Sequence, residues 1–145
     1  MAFDDLYQEI ILDHYRNPRN SADLSSVSEE NVHENPSCGD AVKIRAMVAS
    51  DGKISKVEFE GAGCAISVAS ASMMTEIVVG RETDEALDLI EIFQKIMRGE
   101  ESPAQLKSWG DIEALEGVIS FPLRVKCATL AWHALEVTLE RERVS

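Results

Sequence analysis

The stretch AVKIRAMVASDGKISKVEFEGAGC, residues 41–64, decides the fold. Val42, Ile44, Ala46 and Val48 alternate with Lys43, Arg45 and Met47, the pattern of a half-buried strand over Ala41 to Ala49. Asp51-Gly52 is a hairpin signal, because both residues tolerate the positive φ of a tight turn. Ser55, Val57 and Phe59 then alternate with Lys56, Glu58 and Glu60, so a returning strand is expected over Lys53 to Glu60. Gly61-Ala62-Gly63-Cys64 closes that strand, and small residues from about Ile66 to Val79 predict a closely packed helix stopped by Gly80.

Working outward, Phe3, Leu6, Tyr7, Ile10, Ile11, His14 and Tyr15 fall at helical spacing, with Asp4 and Asp5 favouring the first turn and Asn17-Pro18 ending the helix. Residues 20 to 37 read as loop, with residues 24 to 34 the candidate for a third strand. Downstream, Thr83 is placed to cap a helix whose stripe is Ala86, Ile90, Phe93 and Met97, ending before Gly99. Ser102-Pro103 is a cap followed by proline at a first helical position, and residues 108 to 123 look irregular. A final helix from about Val125 to Arg141 buries Ala128, Ala131, Trp132, Leu135 and Leu139. Strands first and helices after them predict an α+β domain spanning residues 1–145: a small antiparallel sheet of about three strands covered by helices.

A chain of 145 residues suits one core, burying roughly 70% of its unfolded surface. Acids outnumber bases 26 to 14, a net charge of −12 that argues against nucleic acid, whose phosphates are bound by clustered Lys and Arg. Asp13, Glu76 and Glu91 interrupt the apolar stretches, so none approaches the ~20 residues of a membrane helix. The first residues, Met1 to Asp13, carry acid rather than the basic start of a secretory signal. A cytosolic protein is expected, away from membranes.

The three cysteines cannot all pair within the chain, and without an export signal they do not suggest a disulfide framework. Cys38 sits in the turn Pro36-Ser37-Cys38-Gly39-Asp40, Cys64 in the glycine-rich turn entering a helix, and Cys127 in the first turn of the last helix. None lies within an apolar stripe, where an inert cysteine is usually found. Three turns meeting at one end of a sheet would bring three thiols and the Asp40 carboxylate together, a donor set that suits tetrahedral zinc. A helix start stabilises a thiolate by only about 0.3–1 kcal/mol, so a reactive thiolate needs a metal or a cation such as Arg124 or Lys126. The spacing 38, 64, 127 matches no CxxC zinc pattern, and by spacing alone three ordinary cysteines are the plainer reading. His14 reads as a packing residue on a helix face, His33 as a solvated loop residue and His133 as exposed. Ser67, Ser70 and Ser72 read as close helix packing, and Met73-Met74 as core.

Taken in order, Asp13-His14-Tyr15-Arg16-Asn17-Pro18, Asn35-Pro36-Ser37-Cys38-Gly39-Asp40, Gly61-Ala62-Gly63-Cys64-Ala65-Ile66-Ser67 and Arg124-Val125-Lys126-Cys127-Ala128-Thr129-Leu130-Ala131-Trp132 closely resemble the SufU and IscU family of iron–sulfur cluster assembly proteins. The resemblance covers nearly the whole chain. Two features lean toward the SufU branch: the extra segment Gly110 to Val118, and Lys126 where IscU scaffolds carry histidine before their last cysteine. The chaperone-docking LPPVK of IscU is replaced by Phe121-Pro122-Leu123-Arg124-Val125-Lys126.

The resemblance implies that Cys38, Asp40, Cys64 and Cys127 ligate zinc. It further implies a sulfurtransferase-like carrier that takes persulfide sulfur from a PLP-dependent, SufS-like cysteine desulfurase and passes it to a SufBCD-like scaffold. In such proteins a desulfurase histidine takes a zinc position and frees the first cysteine, here Cys38, while Arg124 matches a family arginine beside the site. The rival expectation is a scaffold assembling a transient [2Fe–2S] cluster on the same ligands. The residues alone do not choose Cys38 over Cys127 as acceptor.

Overall fold

A computed structural model describes residues 5–25, 32–35 and 40–144 of the chain. Helix α1 (Asp5–Arg16) is followed by strands β1 (Val32–Asn35), β2 (Asp40–Val48) and β3 (Ile54–Ala62), then helices α2 (Ala65–Val78) and α3 (Thr83–Met97). A run of 3₁₀ turns spans Pro103–Ser120, and helix α4 (Pro122–Val144) closes the order. The three strands form one antiparallel sheet in the order β1-β2-β3. This is the predicted α+β arrangement of a small sheet packed with helices.

The hairpin is centred on β2 and β3, whose register runs from Ala41 opposite Ala62 to Ala46 opposite Val57. Val42, Ile44, Val57 and Phe59 are buried on its inner face, against which α2 and α4 pack. The alternation departs from expectation near the turn. A register shift between Met47 and Val48 puts Ile54, rather than Ser55, in the core, while the Ser55 hydroxyl donates to the Met47 carbonyl at 3.1 Å. Lys43, expected on the wet face, is buried and donates Nζ to the Leu24 carbonyl at 3.1 Å. A long apolar stem lets its ammonium reach a carbonyl acceptor.

The third strand lies at Val32–Asn35, at the end of the span 24 to 34, and pairs with the start of β2. Its four residues are too few and too polar for alternation to reveal, and the ladder with β2 defines them. The free edge of β3 is partly covered by the segment after α1. Phe59 N–H donates to the Asn20 carbonyl at 3.1 Å, and Ala22 N–H to the Phe59 carbonyl at 2.9 Å. Capping that edge removes a row of unpaired backbone groups.

Three other expectations are adjusted. Thr83 is the first residue of α3 rather than its cap, and its hydroxyl donates to the Gly52 carbonyl at 3.2 Å, tying the helix to the hairpin turn. The irregular stretch is mostly 3₁₀ turns broken at Gly110, whose φ of 81° requires glycine, while Ser102 caps its start by accepting from Ala104 N–H at 3.2 Å. Helix α4 begins at Pro122, so Cys127 lies in its second turn, past the strongest field of the helix start.

A continuous hydrophobic cluster holds the layers together, with Met73, Met74, Phe93 and Trp132 at its centre. Phe93 of α3 stacks on Trp132 of α4 with ring centroids 4.0 Å apart and planes 16° from parallel. The indole N–H donates to Ser70 Oγ at 3.0 Å, and Ser70 donates on to the Ala128 carbonyl at 2.6 Å, which fixes α2 against α4. Trp132→Ala is expected to cost about 3–5 kcal/mol of unfolding free energy in urea denaturation. Trp132→Phe, which keeps the stacked ring and loses the N–H, should cost less. A Phe variant as unstable as the Ala variant would show that the hydrogen bond, not the stacking, carries α4.

Candidate metal centre

Pairing of Ala41 with Ala62 sets the end of the hairpin, and the two chains beyond that pair converge. On one side stands Asp40, the first residue of β2, with 1% of its surface exposed. On the other the chain turns through Gly63 into α2, whose N-cap is Cys64. Gly63 has φ of 138°, and a Cβ there would land on the Asp40 carboxylate. Glycine is therefore required twice over, by the backbone angle and by the space the carboxylate occupies.

Asp40 is held from both ends. Its Oδ1 accepts the Cys64 N–H at 2.8 Å, and its Oδ2 accepts a short hydrogen bond from Ser67 Oγ. These donors belong to the first turn of α2, where backbone N–H groups lack partners within the helix and the macrodipole favours an anion. Cys64 Sγ lies 3.7 Å from Asp40 Oδ2. Cys127 arrives from α4 and is buried, and its carbonyl lies 3.2 Å from the Ser67 hydroxyl.

One ligand atom each from Asp40, Cys64 and Cys127 lies within 4.8 Å of the others. Around a tetrahedral zinc, Zn–S and Zn–O lengths of about 2.3 and 2.0 Å put neighbouring donors roughly 3.5–3.8 Å apart. The observed span needs only a small contraction, and neither thiol is in a disulfide. A buried carboxylate beside two thiols is a borderline-soft donor set that fits zinc or iron. Cys38, the fourth predicted donor, lies outside the described residues, two positions before Asp40 in the chain.

Arg124 is exposed on the first turn of α4, three residues before Cys127 and so on the same helix face. Its guanidinium lies against both thiols. Its pKa is raised first by the charge of Cys64 and then by a hydrogen bond to Cys127. The structure thus brings together four of the five predicted site residues: Asp40, Cys64, Cys127 and Arg124.

Two features escape the sequence reading. Ser67 is read there as packing, yet its hydroxyl holds Asp40; the available signal is its place three residues after the cap Cys64, where a side chain can reach back to the helix start. His14 packs as expected but also joins three elements. Its Nδ1 is 2.7 Å from Ser72 Oγ of α2 and its Nε2 is 2.9 Å from Asp111 Oδ2 of the 3₁₀ segment, with Glu76 at 3.9 Å. His133 is exposed as expected, while the side chain of His33 lies outside the described residues.

Comparison with known proteins gives an independent view. The family model of the NifU-like N-terminal domain matches residues 6–136. The zinc-dependent sulfurtransferase SufU of Bacillus subtilis is 46% identical over 140 residues, covering 96% of this chain and 92% of that one. The iron–sulfur cluster assembly scaffold protein IscU of Streptococcus pyogenes is 43% identical over 136 residues, covering 94% and 84%. Among solved structures, a Fervidobacterium islandicum protein named as an iron–sulfur cluster assembly scaffold protein for the SUF system (SufU) superposes with a TM-score of 0.74 at 32% identity, covering 96% of this chain and 97% of that one.

Because Gly63 leaves room for the carboxylate, Gly63→Ala is expected to lower zinc content to well below one per chain and to destabilise the metal-free protein by on the order of 1–3 kcal/mol. Elemental analysis and urea denaturation measure the two effects. Full zinc loading in this variant would show that Asp40 does not need its observed position.

Proposed function

The chain belongs to the NifU-like N-terminal domain family, and on that premise we propose that it is a zinc-dependent sulfur acceptor of iron–sulfur cluster assembly. The observation that carries this reading is the group of buried Asp40, half-buried Cys64 and buried Cys127, faced by the exposed Arg124. Cys38 completes the donor set. Zinc bound there keeps coordinated thiols deprotonated at neutral pH and masks them from stray electrophiles.

The chain's own residues do the rest. Cys38, released as a thiolate when a cysteine desulfurase docks, attacks the outer sulfur of the desulfurase persulfide. The new S–S bond forms on Cys38 as the old S–S bond breaks, and the desulfurase cysteine leaves as a thiolate. No electrons are gained or lost overall. Asp40, Cys64 and Cys127 stay in place during this exchange, anchored in secondary structure. Arg124 offers a cation to the thiolates at the mouth of the site, where a charge-assisted hydrogen bond favours the ionised form. Phe121 and Leu123, 43% and 75% exposed, closely precede Arg124 in the chain and would give a docking desulfurase apolar surface near the charge.

A second reading is a scaffold that assembles a [2Fe–2S] cluster on the same four donors, favoured by the identity to IscU relatives. Lys126, exposed one position before Cys127, supports the carrier instead. An ammonium there supplies no imidazole ligand.

Alanine release by a SufS-like cysteine desulfurase, with and without the protein and under a reductant that does not strip zinc, tests the proposal. Strong stimulation is expected, and Cys38→Ala should abolish it while Asp40, Cys64 and Cys127 still hold some zinc. A Cys38→Ala protein that accepts sulfur at the normal rate would remove Cys38 as nucleophile. Absence of stimulation, with a stable visible cluster formed anaerobically from Fe³⁺ and sulfide, would favour the scaffold.

A further inference from the structure

We propose that Ser67 is a positioning residue that fixes Asp40 as a single-oxygen ligand, an inference that rests on the metal-dependent reading above. A carboxylate on a short side chain can turn about its last bond and present either oxygen, or both. Here the two oxygens have separate duties. Oδ1 is committed to the Cys64 N–H at 2.8 Å, while Oδ2 faces the sulfurs, with Cys64 Sγ 3.7 Å away. Ser67 Oγ bonds to Oδ2, the oxygen that faces the sulfurs.

Ser67 is buried and meets all three described donor residues. Besides Asp40, its oxygen lies 3.8 Å from Cys64 Sγ and 3.2 Å from the Cys127 carbonyl. A hydroxyl carries one proton and so donates to one acceptor at a time. The Asp40 contact is the shorter of its two acceptor contacts, so the proton goes to the carboxylate. Ser67 then takes one lone pair of Oδ2, which sets the direction from which a metal would be met. Partners that orient a ligand in this way typically change metal affinity 10–100-fold when removed. Alanine is the best helix former, so Ser67→Ala leaves α2 intrinsically favoured.

The test is Zn²⁺ affinity, measured on the full chain by competition with a chromophoric chelator, for the wild type, Ser67→Ala, Ser67→Gly, Ser67→Thr, Asp40→Ala and the double variant Ser67→Ala/Asp40→Ala. Circular dichroism of the metal-free proteins reports folding. Ser67→Ala and Ser67→Gly should each bind about 10–100-fold more weakly, and Ser67→Thr, which keeps the hydroxyl, should recover most of the loss. The double variant should bind no more weakly than Asp40→Ala, because Ser67 acts through Asp40. With Co²⁺ in place of zinc, Ser67→Ala should shift the ligand-field bands while keeping the sulfur-to-metal charge-transfer intensity.

An unchanged affinity in both donor-free variants would overturn the proposal. So would a Ser67→Ala loss that is the same with and without Asp40, since the serine would then act through the fold. None of these readouts involves a desulfurase, so a failure of sulfur acceptance would leave them standing and would count against the functional reading alone.

Discussion

The carboxylate of Asp40 at the start of α2 is the constraint around which this molecule is arranged. A buried anion is costly unless its oxygens are satisfied. Here one oxygen is met by a backbone N–H and the other by a serine hydroxyl, both from one helical turn. That arrangement requires β2 to begin beside the end of β3, a residue without Cβ at Gly63, and α2 to start immediately afterwards. The hairpin register, the glycine turn and the small residues of α2 all serve this junction. The α4 helix then brings Cys127 to the same point, held against α2 by the Trp132 and Ser70 contacts one turn further along that helix.

The two described thiols sit in different surroundings. Cys127 is buried, Cys64 is half-buried at a helix start, and Arg124 stands over both from the exposed face of α4. The cation and a bound metal favour the thiolate form far more than a helix start does. On the Arg124 side, Phe121 and Leu123 leave apolar surface exposed. The net charge of −12 for the whole chain favours repulsion between copies. Among the described residues no helix is long and apolar enough to cross a membrane.

The sheet and the long helices were legible because burial imposes a period on their residues. Val42 and Ile44, Val57 and Phe59, and the stripe Ala86, Ile90, Phe93, Met97 are buried where alternation and helical spacing put them. The exceptions have local causes. Ile54 enters the core through a register shift that no periodicity encodes, and Lys43 is buried by a carbonyl from the segment after α1. Strand β1 is defined by its ladder with β2 rather than by its own side chains. For the site, the turns around Cys64 and Cys127 announced themselves through glycine, proline and helix starts. Ser67 and the Asp111 link of His14 did not, because each depends on a partner distant in sequence. Residue type and spacing carry such contacts only after the fold has brought the partners together.

We propose that Asp40, Cys64, Cys127 and Cys38 form one tetrahedral site of three sulfurs and one oxygen. X-ray absorption at the zinc edge, on the full chain loaded with one zinc, counts those donors directly. That donor set predicts three sulfurs at about 2.3 Å and one oxygen at about 2.0 Å, with the oxygen lost or replaced in Asp40→Ala. A first shell dominated by nitrogen and oxygen, or one unchanged by Asp40→Ala, would contradict it.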